Sequence, residues 1–373
     1  MLAGRVGAEV GEVPGARPET LEIQGESDRR APPDPTVSAH SSKLRAEPST
    51  PGLDLALVVL AAGKGTRMRS RLHKVLHPVA GRPMLEHVLR AAAPVGPERT
   101  VVVVGHGAAE IEARFSGMGV EFVVQREQLG TGHAFLQSRE LLERFGGDIM
   151  VLNGDAPLLT EAPLRSLHEH HRRTGAGMTL LTYKVDKPFG FGRVVRWRDG
   201  SVARIVEQGE VDEVTSSIRE VNPGFYLFDR RVFSVAAGLR NDNPTGEYLI
   251  TDLVALYNRA GHSVQAVLAR DDAIAVIGVN TRAQLAEAEQ ILRDRIRRGW
   301  LEEGVTMHCP DQTFIDDTVV LGRDVLLEPG VVLRGATRVG EGAQVGAYAC
   351  LTDCLVNPEA VVAPHTVAVG VSF

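Results

Sequence analysis

Cysteine is scarce in this chain. Of its 373 residues only Cys309, Cys350 and Cys354 are cysteine, which leaves neither a disulfide framework nor a metal-spaced thiolate quartet and points to a reducing, cytoplasmic compartment. An excess of positive charge is missing too. The formal net charge is −6, so no global field draws the chain to nucleic acid or to an anionic membrane, and any bound anion must be held by local groups. Apolar runs such as "LALVVLAA" fall far short of the roughly 18–20 residues that span a bilayer. The start of the chain lacks the continuous apolar core of roughly 7–15 residues that marks a secretory signal. The expectation is a soluble protein.

What is present is an ordinary globular balance, 43% hydrophobic and 24% charged, in a chain long enough for two domains. Residues 1–53 are rich in Pro, Gly, Glu, Ser and Ala without a periodic apolar face. Such a composition buries too little surface to offset its ordering entropy, so a disordered tail is expected there. From Asp54 the pattern changes. "LALVVLAAG", "TVVVVGHG", "VEFVVQ" and "DIMVLNGD" read as buried strands, and "PMLEHVLRAAA", "AAEIEARF" and "GHAFLQSRELLERF" as the helices between them. Strands that are apolar throughout, separated by amphipathic helices, predict an α/β fold with a Rossmann-like, mostly parallel sheet covered on both faces. This unit runs over 54–280. A strongly charged linker helix follows over 281–304.

Over 305–373 the period changes to six. Apolar residues recur at Ile315, Leu321, Leu327, Leu333, Val339, Val345 and Leu351, with an interruption at Asn357 and a resumption at Ala363 and Val369. A second track carries Val319, Val325, Val331, Ala343, Ala349, Val361 and Val367. Neither helix nor alternating strand has that period; a hexapeptide β-helix does, because each unit forms one face of a coil.

The most concentrated chemistry lies in "LAAGKGTRMRSRLHKVL", Leu60 to Leu76, directly after the first strand. The loop fails the dinucleotide fingerprint, since Met68 stands at its third glycine position, and it fails the P-loop pattern. It still offers backbone N–H groups to an anion, with Arg67 and Lys74 at hand. In a parallel sheet this loop and "LNGDAP" both open into the crevice beyond the carboxyl ends of the strands.

The motifs that accompany it are "LHKVLHPVAGRPMLEHVL", "QREQLGTGHA", "LNGDAPLL", "GFGRVV", "IVEQGE", "VNPGF", "TGEYLITD" and "GVN", in that order. The set resembles the sugar-nucleotidyltransferases, and "QLGTGHA" with "GEYLITD" narrows the likeness to the bacterial N-acetylglucosamine-1-phosphate uridylyltransferases, over about residues 54–304. The resemblance implies attack of a sugar-1-phosphate oxygen on the α-phosphorus of UTP, with Arg67 and Lys74 as catalytic cations and Mg²⁺ held by Asp155 and Asn280. It places the base against Leu60, Ala61, Ala62, Gly63, Gln125, Gly130 and Thr131. It places the sugar against Asn153, Gly154, Gly192, Glu207 and Asn222. It also implies that the coil is a left-handed β-helix, through which a homotrimer can form. The substrate phosphate is already ionised, with a second pKa near 6, so no general base is required.

Three positions depart from the family pattern: Phe191 stands where Tyr is usual, Pro223 where Thr is usual, and Gly209 where a longer polar residue often sits. Members are commonly bifunctional, with an acetyl-CoA-dependent acetyltransferase on later coils, and the chain stops before those coils, so the expectation is no acetyltransferase activity. The histidines of "HEHH" (His168, His170, His171) read as a solvated helix face, His106 and His133 as turn and helix-start residues, Cys350 and Cys354 as small packed residues, and Trp300 as helix packing. Rival expectations are a sister enzyme transferring a thymidylyl or guanylyl group, and a non-catalytic regulatory protein. The latter predicts loss of the cations or metal ligands, and Arg67, Lys74, Asp155 and Asn280 are all present.

Overall fold

The computed structural model describes residues 54–269 and 278–373; the tail expected over residues 1–53 lies outside them. The first twelve strands are β1 (Leu55–Leu60), a short hairpin of β2 (Pro78–Val79) and β3 (Arg82–Pro83), β4 (Arg99–Val104), β5 (Glu121–Val124), β6 (Asp148–Asn153), β7 (Met178–Lys184), β8 (Gly192–Arg196), β9 (Val202–Val206), β10 (Glu220–Asn222), β11 (Tyr226–Phe228) and β12 (Val264–Leu268). All but the hairpin join one 10-stranded sheet in the order β5-β4-β1-β6-β11-β7-β10-β8-β9, with β12 also pairing with β7. Its first four strands are parallel throughout. Beyond β6 the sheet is mixed, because β11 runs antiparallel to both neighbours and β8, β9 and β10 form antiparallel pairs.

The uniformly apolar strands are covered on two sides. In β1, Leu57 and Val59 pack with Leu85, Val88, Ile111 and Phe115 on one face. Ala56 and Val58 pack with Phe135, Phe233 and Tyr257 on the other. Alternate side chains of a strand point to opposite faces, so one apolar run feeds two cores. The expected helix over "GHAFLQSRELLERF" is broken into Thr131–Leu136 and Arg139–Leu142. Ser138 donates its hydroxyl to the Phe135 carbonyl at 2.7 Å, a local bond that competes with the helix ladder.

The linker helix, Arg282–Glu302, spends its charges on its surroundings. Its first half packs Leu285, Ala288, Ile291 and Leu292 on Met68, Val79, Met84 and Leu158. Further along, Arg295 donates to the Leu158 carbonyl (2.7 Å), Arg293 to the Ile315 carbonyl (2.9 Å) and Arg297 to the Thr313 carbonyl (3.2 Å). Trp300 and Ile296 pack on the coil core, as expected for Trp300. The β2–β3 hairpin closes against the same junction. Ala80 accepts from the Asp317 backbone N–H (2.8 Å) and donates to Glu289 (2.7 Å), and Arg82 pairs with Asp317.

The coil is a left-handed parallel β-helix of three stacked ladders. Ile315, Leu321, Leu327, Leu333, Val339, Val345 and Leu351 all point inward and are buried; a side chain of this size contributes about 1.5–3 kcal/mol on burial. After Leu351 the phase differs from the expectation. Leu333 stacks on Leu351, but Val339 stacks on Val356 and Val345 on Val362. One residue is missing from the turn between Leu351 and Val356, so every later side chain advances by one position. Cys354, Val356 and Val362 are therefore buried, while Asn357, Ala363, Val361, Val367 and Val369 are exposed. Cys354 packs as expected; Cys350 is half-buried.

Candidate active site

The register of two parallel strands sets the place of the site. β1 and β6 pair so that their last residues, Leu60 and Asn153, are opposite each other. From β1 the chain steps outward to β4 and β5, then returns to β6 on the other side of β1. Ligands of such sheets bind in the crevice at that switch point.

The loop leaving β1 carries Arg67 in a short 3₁₀ turn, Thr66–Met68, and Lys74 at the start of another, Lys74–Leu76. Met68, the residue that spoils the dinucleotide fingerprint, is instead the loop's anchor, buried among Val79, Met84 and Leu158. Gly65 adopts φ +59, and a Cβ there would lie 2.6 Å from the Lys74 Cβ. Only glycine lets Lys74 pass at that distance.

Four side chains from distant parts of the sequence meet beyond this loop. Lys74 Nζ donates to Asp155 Oδ2 at 2.5 Å and to Asn280 Oδ1 at 3.1 Å. Arg67 donates to the same Asn280 oxygen at 3.0 Å. The Lys74 and Asp155 side chains are only 14% and 15% exposed, so their pairing is partly shielded from water and stronger than a surface ion pair. Asn280 is set by the start of the linker helix. Thr281 and Gln284 form a reciprocal capping box, and Gln284 Oε1 also accepts from the Asn280 backbone N–H at 2.8 Å. The Val279 N–H bonds to the Asp155 carbonyl at 2.8 Å, which holds the two segments together. A carboxylate and an amide oxygen that converge on one ammonium are also the hard donors a divalent cation takes, with phosphates and water able to complete its shell. Asp155 and Asn280 thus fit such a cation, with Arg67 and Lys74 left for the phosphates. Among the described residues there is no cluster of three or more His, Cys, Asp or Glu that could hold a metal without further ligands.

Two adjoining cavities open on either side of this charged centre. The first, about 350 Å³, is lined by Leu60, Ala61, Ala62, Gly63, Lys74, Gln125, Gly130, Thr131, Asn153 and Asp155. The second, about 670 Å³, includes Arg67, Gly192, Glu207, Asn222 and Asn280, and shares Thr131, Asn153 and Asp155 with the first. Of the expected site residues only Gly154 lines neither. It lies beneath them, with its N–H bonded to the Leu60 carbonyl at 3.0 Å.

The first cavity has a selective floor. Gln125 is 3% exposed, and its Nε2 donates both protons, to the Gly130 carbonyl (3.1 Å) and to His133 Nδ1 (3.0 Å). The expected donor-and-acceptor pair is reduced to an acceptor, Oε1. Gly130, at φ +109, passes so close to Tyr248 that a Cβ would lie 2.5 Å from its carbonyl oxygen.

The second cavity is the larger of the two, and Phe189, 82% exposed, is among its lining residues. Its polar groups are tethered by neighbours, Asn222 at both ends of its amide, since the Gly224 N–H bonds to its Oδ1 at 3.1 Å. Glu207 accepts from Thr251 Oγ1 at 2.8 Å. Asn222 donates to the Tyr226 hydroxyl at 2.8 Å, and Asn153 to the Pro223 carbonyl at 3.1 Å. Burial raises the pKa of the Tyr226 phenol, so it remains a neutral partner for Asn222. Pro223 therefore still contributes its carbonyl, whereas Gly209 leaves open space.

With this geometry in place, comparison with known families is informative. The nucleotidyl transferase profile matches residues 56–304, most of the chain and every residue of the charged centre. The chain belongs to the nucleotidyl transferase family. Among its relatives is the bifunctional protein GlmU of Thermus thermophilus, 47% identical over 315 residues that cover 84% of this chain and 69% of that protein. The bifunctional protein GlmU of Syntrophotalea carbinolica is 42% identical over 318 residues, covering 85% and 68%.

Several residues of this nucleotidyl transferase escaped assignment from the sequence. Thr251 and Tyr226 act through Glu207 and Asn222. The "TGEYLITD" stretch works mainly through its backbone: the Tyr248 carbonyl accepts from the Gly132 N–H (2.7 Å), and the Ile250 N–H bonds to Thr131 Oγ1 (3.0 Å). Gln284 was legible, since Thr281–Gln284 has the capping-box spacing.

The histidine expectation needs correction. His168 and His171 are buried, 6% and 3% exposed, on the inner side of the helix Glu161–Thr174. His171 Nδ1 shares a hydrogen bond with Thr179 Oγ1 at 2.7 Å, so this side of the helix rests on β7. Only His170 stays near the surface, 2.9 Å from Arg173. The charged residues around them concealed a helix with two imidazoles on its packed face. His133 does occupy a helix start; its Nδ1 accepts from Gln125, and Gln137 donates to its backbone carbonyl at 3.0 Å.

Proposed function

We propose that the protein transfers the uridylyl group of UTP to N-acetylglucosamine-1-phosphate, giving UDP-N-acetylglucosamine and pyrophosphate for cell-envelope precursor synthesis in the cytoplasm. The observation that carries this reading is the convergence of Arg67, Lys74, Asp155 and Asn280 between two cavities, one with a base-reading acceptor and one with polar groups suited to a sugar. The Gln125 oxygen accepts a ring N–H, which uracil presents and cytosine at N3 does not. Glu207 and Asn222, which line the second cavity, are the groups we assign to the sugar hydroxyl and acetamido groups.

An oxygen of the sugar phosphate attacks the α-phosphorus, the bond from that phosphorus to the bridging oxygen breaks, and pyrophosphate leaves. Arg67 neutralises the leaving phosphates and Lys74 the α-phosphate, where negative charge crowds in the transition state. No histidine lines either cavity among the described residues, in keeping with a nucleophile that needs no base. Asp155 and Asn280 would hold Mg²⁺, which would supply further charge neutralisation to the triphosphate.

We assign the transfer reaction to residues 54–280, the connection to 281–304 and assembly to 305–373. The outward residues Leu355, Val361, Val367 and Val369, each 47–77% exposed, support a homotrimer packed through the coil. No helix among the described residues is long and apolar enough to cross a membrane.

The deciding experiment is pyrophosphate release with Mg²⁺, comparing UTP plus N-acetylglucosamine-1-phosphate with dTTP or GTP plus glucose-1-phosphate. Release with the first pair alone is expected. It should stop with excess EDTA and fall about 10²–10³-fold in Arg67→Ala. Faster release with another pair would move the enzyme to a sister specificity, and silence with all of them would overturn the reading.

A further inference from the structure

We propose that Lys74 competes with the divalent cation for the oxygens of Asp155 and Asn280, so that the protein without nucleotide holds the cation weakly and takes it up together with the nucleotide. The inference rests on the placement of the cation given above and adds an order to its arrival.

The contact geometry carries it. One ammonium nitrogen reaches both oxygens, at 2.5 Å from Asp155 Oδ2 and 3.1 Å from Asn280 Oδ1. A Lys ammonium carries a full positive charge and has no acceptor, so on these oxygens it repels a cation where a water would instead ligate it. Two positive centres on one carboxylate oxygen repel strongly in a site this shielded. Arg67 adds a second positive group on the Asn280 oxygen. The carboxylate is thus already paired, and the amide oxygen already occupied, by the two side chains that later act on phosphate.

A triphosphate changes this balance. Its oxygens give Lys74 and Arg67 new acceptors, and the flexible Lys stem can follow them without backbone movement. The two protein oxygens are then released to a cation that the phosphates also ligate. Nucleotide and cation each strengthen the binding of the other, and such coupling is reciprocal.

The test is Mn²⁺ binding to the full chain without nucleotide, followed by the paramagnetic signal of the free ion. Lys74→Met should bind Mn²⁺ about tenfold more tightly than wild type, the scale of one lost charge-assisted contact. Lys74→Gln should move the same way, which covers the chance that one variant folds poorly. Lys74→Arg, which keeps the charge, should remain near wild type. Adding Asp155→Asn to Lys74→Met should abolish the gain. Affinity in Lys74→Met and Lys74→Gln no tighter than wild type would overturn the proposal, as would a gain that survives Asp155→Asn. Pyrophosphate release by wild type is read separately, so failure of the uridylyltransferase reading would be recognised on its own.

Discussion

The loops beyond β1 and β6 and the coils beyond Val305 both turn tightly, for different ends. In the loops, Gly65 and Gly130 bend so that Lys74 and the Tyr248 carbonyl can come close. There a residue is fixed by partners far away in sequence: Arg67 and Asn280, in hydrogen-bond contact, are 213 residues apart. In the coils, left-handed corners stack upon one another, with Gly330, Tyr348 and His365 along one edge and Asp324, Gly342 and Glu359 along another. There a residue is fixed by the equivalent residue of the previous coil. The difference teaches where damage should appear. A change in the loops acts on the reaction and spares stability, and a change in the coil interior does the reverse.

The sharpest test contrasts two neighbours in the coil. Val362 is 1% exposed, and Val362→Asp buries a carboxylate without a partner, which should cost about 3 kcal/mol or more. Ala363 is exposed, so Ala363→Asp should stay within about 0.5 kcal/mol of wild type. Urea unfolding of both variants reads the difference directly. Were Ala363→Asp the more damaging, the phase shift after Leu351 would be wrong.

A smaller effect is expected at the sugar end of the crevice. Thr251→Val removes the hydroxyl held by Glu207 while keeping the shape of the side chain. The KM for the sugar phosphate should rise about tenfold, the cost of one hydrogen bond to a charged group, with the KM for UTP and the melting temperature unchanged. A parallel rise in both KM values would mean that Thr251 supports the whole crevice and not Glu207 alone.

The smallest effect concerns pH and belongs to the sheet region. Burial lowers the pKa of His168, and also of His73, below the ordinary 6.5. The unfolded chain then binds the proton more readily, so this part of the stability is complete above about pH 6.5 and is lost as pH falls from there through the folded-state value. Melting temperature should therefore drop on acidification, and His168→Leu should lessen that slope. An unchanged slope would leave the acid sensitivity to other groups.

Much of this was legible before the fold was known, and the reasons differ by region. Apolar runs located β1, β4, β5 and β6, and the residues named from the ordered motifs line the crevice, Gly154 apart, because chemistry demands particular residue types at strand ends. The antiparallel part of the sheet was not legible. Its strands, such as Glu220–Asn222 and Tyr226–Phe228, are only three residues long, too short for periodicity to establish direction. The coil showed its period but hid its slip, since valines and alanines stand in both phases after Leu351 and composition alone does not choose between them. Gln125 lines the first cavity, yet its donors are committed to Gly130 and His133, a fact that only the third dimension holds.

The capping box of Thr281 and Gln284 has a bearing on how the molecule can be cut down. Asn280 faces the charged centre because the next residue opens a helix, and that helix keeps its place by packing Leu285, Ala288, Ile291 and Leu292 on the loop's own anchor, Met68. A chain ended at the apparent edge of the sheet region, at residue 280, would retain all four charged-centre side chains while losing the scaffold that aims one of them. The shortest competent fragment is therefore set by Leu292, about three helical turns past the point where pattern alone would place the cut.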